Sequence, residues 1–231
     1  MTRLLFRLSA AAGLNAAAAM AFAHGDVAPQ PVDTAGLPEM GEEWLIENPY
    51  RAEAAGEETW QLAVQIGASA YNQNCARCHG LEVVSGGLAP DLRFLEAEEY
   101  GDEWYMERYR HGYTQNGITK MPAFGDLLGQ EAAWAIRTYI ETRPDDVAME
   151  ELTPELRALR DELQAYTEDA SGADADALKA RLSEIAGSIE TLSGAPVADS
   201  VAYRAAALID GTPGGYKSAA ETLTIGLSAA Q

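Results

Sequence analysis

The chain has 231 residues, a formal net charge of −20 and a sequence pI of about 4.4. That length allows one or two domains, and a chain this acidic lacks the Lys and Arg that a nucleic-acid backbone or an anionic membrane surface would require. Beyond the N-terminus no stretch approaches the roughly 20 apolar residues of a membrane span, so no span is expected in the mature protein.

Residues 1–23 carry the order of a cleavable export signal: Arg3 and Arg7, the Ala-rich run Leu8 to Met20, then the small residues of Ala21-Phe22-Ala23. The mature chain would begin at His24, in the periplasm. Residues 24–56, with Pro29, Pro31, Gly36, Pro38 and Gly41, read as an extended arm pinned by Trp44 and Leu45, with a turn at Asn48-Pro49-Tyr50. A first helix is expected over Thr59–Asn74, where Trp60, Val64, Gly67, Ala68 and Tyr71 recur at helical spacing.

That helix delivers Cys75-Ala76-Arg77-Cys78-His79, the C-x-x-C-H attachment pattern of a c-type haem. Two thiols can add to the two haem vinyl groups, and the histidine that follows can rise under the iron as an axial ligand. The chain has two cysteines in all, both here, so neither a structural disulfide elsewhere nor a four-cysteine zinc site competes for them. One covalent haem c, on Cys75 and Cys78, with His79 on the metal, is the expectation. Covalent haem attachment also fits export.

Ser85-Gly86-Gly87-Leu88-Ala89-Pro90-Asp91 is loop chemistry. A short helix is expected over Asp102–His111, and its Trp104, Tyr105 and Tyr109 are either a wall of the haem pocket or ordinary packing. Met121-Pro122 then lies on a loop before the next helix. A thioether suits haem iron as a sixth ligand, and of the methionines Met121 is the best placed, with His111 the competing ligand. Gln130–Arg143 reads as a third helix with Trp134, Ile136, Tyr139 and Ile140 near one face, ending before Pro144.

These residues carry a resemblance. Gly67, Tyr71, Cys75-Ala76-Arg77-Cys78-His79-Gly80, Gly87-Leu88-Ala89-Pro90-Asp91-Leu92, Met121-Pro122 and the aromatic last helix resemble class I cytochromes c. The resemblance implies an all-α haem domain over residues 57–143, with Gly67 and Tyr71 meeting the Trp134–Tyr139 face. It also implies that the Pro90 carbonyl receives the His79 Nδ1–H, which would orient the ring. The arm, including His24 to Asp33 and Glu47-Asn48-Pro49-Tyr50-Arg51, together with Gly101-Asp102-Glu103-Trp104, is similar to periplasmic cytochromes c-550. That likeness covers about residues 24–143. It implies an electron carrier that accepts electrons from a PQQ-dependent alcohol dehydrogenase and passes them toward a terminal oxidase or another cytochrome.

Residues 144–231 extend past that family. Residues 144–152 read as a linker. Thr153 to Glu168 reads as a helix with Thr153 as N-cap and Pro154 at its first position. Leu178, Leu182, Ile185, Ile189 and Leu192 read as one helix seam, and Val197–Asp210 and Tyr216–Ser228 as two more helices. The extension contains no Cys or His. A self-packed helical bundle is the simplest burial for its apolar stripes. With His79 and Met121 on both sides of the iron, the site would move electrons and perform no bond chemistry. An enzyme would need an open position with polar distal groups, which this sequence does not offer. The alternative is a ligand-binding or sensor module in which a gas displaces Met121.

Overall fold

A computed structural model describes residues 28–229 of the chain. The expected signal peptide and His24 lie outside the described residues. The order of elements is α1 (Ala52–Ala55), α2 (Glu57–Asn74), α3 (Ala76–His79), α4 (Glu99–His111), β1 (Tyr113–Gln115), β2 (Ile118–Met121), α5 (Gly125–Glu141), α6 (Asp146–Ala165), α7 (Ala175–Ser188), α8 (Val201–Leu208) and α9 (Pro213–Ala229). The architecture is helical, with one small hairpin among the described residues.

α2 and α5 are the frame of the haem domain. Trp60, Ala63, Val64, Gly67, Ala70 and Tyr71 form the buried stripe of α2, on the i, i+3, i+4 spacing of a helix with one face in a core. Gly67 lets the two backbones touch, because a Cβ there would overlap the Ala135 carbonyl and meet the Tyr139 Cβ at 2.9 Å. Four residues on, the Tyr71 and Tyr139 rings pack at 5.5 Å. The crossing implied by the resemblance is therefore present. α5 is broken at Gly129, whose φ of 79° interrupts the helical run, and it proceeds regularly from Gln130.

The described part of the arm runs over α5 with several turns, and its anchors differ from Trp44 and Leu45 alone. Leu45 is exposed, whereas Leu37, Asn48 and Tyr50 are buried. Trp44 is half-buried beside Tyr109 with Arg110 over its ring. Backbone groups do much of the pinning: Met40 N donates to Glu131 Oε1 at 2.9 Å, and Gln130 Nε2 donates to the Gly41 carbonyl at 2.6 Å. Leucine at position 45 contributes only its amide, to Gln130 Oε1.

Beneath the arm lies a buried ionic cluster. Arg51 Nη2 meets Asp102 Oδ1 and Glu141 Oε2, each at 2.8 Å, and Arg137 Nε meets Asp102 Oδ1 at 2.8 Å. Asn48 donates its amide to Asp102 and its side chain to Thr138 and Glu141. Two cations face two anions, so the charges balance and most polar atoms are satisfied.

The extension has its own core. Leu156, Leu159 and Leu163 of α6, Leu178, Leu182 and Ile185 of α7 and the small residues of α8 and α9 form one buried cluster, separate from the haem-domain core. Two details correct the sequence reading. α6 starts at Asp146, so most of the stretch read as linker is helical, and its N-cap is Asp145, which accepts from Val147 N at 3.2 Å. Thr153 instead turns its hydroxyl back to the Met149 carbonyl, and Pro154 sits inside the helix. Met149 and Leu152 pack against the bundle, which offsets part of the roughly 3 kcal/mol that an interior Pro costs. α7 stops at Ser188, so Ile189 and Leu192 are not on its seam. There the chain turns extended, and Glu190 and Thr191 pair with Asp145 and Pro144.

Candidate haem site

α2 ends at Asn74, and one further turn, α3, carries Ala76 to His79. Cys75 and Cys78 are both free thiols and both half-buried, on the rim of the core. Burial first, then the neighbouring Cys78, pushes the Cys75 thiol up to about 12. Burial raises the hydroxyls of Tyr71, Tyr105 and Tyr109, and a charged Cys75 would raise them further.

His79 is buried, and its Nδ1 lies 2.9 Å from the Pro90 carbonyl. That carbonyl can only accept, so Nδ1 carries the proton and Nε2 keeps the lone pair. Burial lowers the ring's pKa by more than the Pro90 carbonyl and Asp91 raise it, which keeps the imidazole neutral, the form a metal needs. The Pro90 loop is itself braced. Ser85 Oγ donates to the Ala89 carbonyl, and the Asp91 carboxylate is forked by Arg93, with Nη2 to Oδ2 at 2.8 Å. Burial alone would raise the Asp91 carboxyl, but the hydrogen bonds and charge of Arg93 outweigh it and hold it below the usual range. On the return side of His79, the Tyr71 hydroxyl donates to the Gly80 carbonyl at 2.9 Å.

Met121 is half-buried and closes β2, opposite Tyr113. The sequence reading placed it on a loop; in fact Asn116 and Gly117, with φ of 52° and 74°, turn a two-residue hairpin that presents it. Gly112, φ 69°, ends α4 so close to the Met121–Ala123 backbone that a Cβ would meet Ala123 N at 2.9 Å. His111, the competing ligand, is exposed beside Glu107. Trp104 is half-buried with Arg108 5.1 Å over its ring. Trp104 packs against the edge of the core, whereas Tyr105 and Tyr109 are buried within it, their hydroxyls donating to the Ala133 and Gly129 carbonyls. Both tyrosines were visible in sequence as part of one aromatic group, but nothing there ranked them above Trp104.

The donor set and its surroundings fit haem c. Two free thiols accompany an oriented imidazole and a thioether, and Cys75 and Met121 both pack against one core. Between residues 81 and 127, Leu81, Leu88, Phe94, Tyr100, Ile118 and Leu127 are each more than half exposed.

Comparison with known proteins gives the same result. The chain is 56% identical over 131 residues to cytochrome c550 of Pseudomonas aeruginosa, a match that spans 57% of this chain and 88% of that protein. This chain belongs to the cytochrome c family. It is accordingly an electron carrier with covalently bound haem c, and not an enzyme. Residues 62–140 of this cytochrome match the family described as cytochrome c oxidase, cbb3-type, subunit III. It is 33% identical over 88 residues to quinohemoprotein alcohol dehydrogenase ADH-IIG of Pseudomonas putida, covering 38% of this chain and 12% of that one. It is 31% identical over 99 residues to the cbb3-type cytochrome c oxidase subunit FixP of Rhizobium meliloti, covering 37% and 32%. No solved structure matches the cytochrome. Among the described residues no helix is long and apolar enough to cross a membrane.

Proposed function

We propose that this cytochrome is a periplasmic shuttle that takes single electrons from a PQQ-dependent alcohol dehydrogenase and delivers them toward a terminal oxidase. Cys75 and Cys78 would hold the haem, and His79 and Met121 would bind its iron. The observation that carries the ligand assignment is the 2.9 Å contact of His79 Nδ1 with the Pro90 carbonyl. It leaves Nε2 as the coordinating atom and makes the imidazole more basic. Bound in this way, the haem supplies a one-electron couple whose potential the thioether raises. Pro122 stiffens the chain after Met121, and Cys75 packs against the core that contains Tyr105 and Tyr109.

The likeness to a quinohemoprotein alcohol dehydrogenase on one side and to an oxidase subunit on the other supports a place between an alcohol-oxidising donor and an oxygen-reducing acceptor. The export-type sequence of residues 1–23 supports the periplasm. The net charge of −20 supports steering toward a basic face of the donor. The test is rapid mixing of the ferric holoprotein with the reduced quinoprotein at several salt concentrations. Fast reduction that slows as salt rises is the expected result. Reduction no faster than that of an unrelated c-type cytochrome would remove the donor from the reading.

A further inference from the structure

The turn after His79 is strained. Glu82 and Val83 both have positive φ, 55° and 67°. Val83 is β-branched and fully buried, and such a residue stays in the left-handed region only if its surroundings hold it there. The neighbouring Glu82 is held by a group from far along the chain. Arg143 Nη2 meets Glu82 Oε2 at 2.6 Å. Arg143 is buried just past the end of α5, with its guanidinium 4.9 Å over the Tyr139 ring. Its Nη1 lies 3.4 Å from Asp199 Oδ2, and that same oxygen is 3.1 Å from Arg204 of α8. Asp199 stands between Ala198, buried in the haem-domain core, and Ser200, the N-cap of α8. A continuous path thus runs from Arg204 in the extension's bundle, through three ion pairs, to the turn that follows His79.

We propose that Arg143 is a positioning residue for His79, and that residues 144–231 act on the haem through it by way of Asp199. The Glu82 side chain is more than half exposed, so its ion pair alone is screened by solvent and weak. What makes the pair effective is the immobility of its partner. Burial, the Tyr139 ring and Asp199 fix the guanidinium, and a fixed guanidinium fixes the strained turn. The extension therefore sets the seat of the axial imidazole and, through it, the reduction potential. The inference rests on His79 being an axial ligand.

The test uses the full-length ferric holoprotein and two readouts, the midpoint potential and the hyperfine-shifted haem methyl resonances, which follow axial-ligand orientation. The wild-type spectrum checks His79 and Met121 ligation independently of the variants. Arg143→Lys is the decisive change, because it keeps the charge and loses the two-armed fork. Its potential and methyl pattern shift if the residue positions His79, and Glu82→Gln moves the potential in the same direction. Asp199→Asn reproduces part of the methyl shift although it lies in the extension. The proposal is overturned if Arg143→Lys coincides with wild type in both readouts. It is also overturned if Glu82→Gln and Arg143→Gln move the potential in opposite senses, as charge alone requires. Methyl resonances unmoved by Asp199→Asn would remove the extension's part. Arg143→Lys and Asp199→Asn are conservative enough to settle the matter should Arg143→Gln fail to take up haem.

Discussion

Gly67 of α2 lies directly on the carbonyl of Ala135 in α5, with no room for a side chain between them. The contact is backbone against backbone, so neither partner can move without displacing its helix. Gly67→Ala should therefore lower the unfolding free energy by at least about 2 kcal/mol, at the upper part of the overpacking range. Denaturant unfolding of the holoprotein measures it. An alanine variant as stable as wild type would mean that α2 and α5 cross more loosely than this.

The Arg51–Asp102–Arg137–Glu141 cluster makes a second prediction. Asp102 is fully buried and is the carboxylate shared by both arginines. Asp102→Ala leaves two guanidinium groups facing one acid, and breaking a buried pair in this way costs about 3–5 kcal/mol. It also removes the acceptor for the Asn48 amide, so the arm is expected to loosen. Limited proteolysis within residues 28–50, faster in the variant than in wild type, reports that loosening.

Some of this was legible in the residues and some was not. The α2 stripe, the C-x-x-C-H motif and the regular part of α5 follow from spacing, since one face of each helix meets a single core. The ionic cluster was hidden, because Arg137 in an apolar run shows nothing of its partners on α4 and the arm. The hairpin that presents Met121 carried an Asn-Gly turn signal, but strands of three and four residues are too short to show alternation. The start of α6 was masked by Pro154, a local signal that packing overrode.

Met121→Ala should abolish the sulfur-to-iron charge-transfer absorption of the ferric protein and lower its potential, since a thioether favours the reduced iron. His111→Ala should leave both unchanged, because that ring is exposed beside Glu107. A band that survived in the Met121 variant would assign the sixth ligand elsewhere.

The Asp91–Arg93 pair links stability to pH. A carboxyl held below its ordinary value of 3.8 contributes stability that is complete above that value and is lost as pH falls through the lower folded one. Asp91→Asn removes this contribution. The variant should melt lower than wild type at neutral pH, and the two melting curves should converge in acid. Thermal melts between about pH 2 and pH 7 test the convergence, which spans the ordinary range of carboxyl titration.

The two cores predict two separable losses. Leu159 is fully buried in the cluster formed by α6 to α9, which shares no residue with the core around Cys75. Leu159→Ala opens a cavity there, at a cost of about 2–5 kcal/mol. If each core folds largely on its own contacts, the helical signal of the extension melts earlier in the variant while the haem absorption keeps its wild-type midpoint. The segment between α7 and α8 joins the two parts: Ala198 is buried in the haem-domain core, Ser193 Oγ donates to the Glu141 carbonyl, Pro144 pairs with Thr191 and Arg143 meets Asp199. None of these residues belongs to the α6–α9 cluster, so the haem-domain core keeps its packing when that cluster loosens. Coincident transitions, both displaced downward by the same amount, would mean instead that the junction is strong enough to make the chain one cooperative unit.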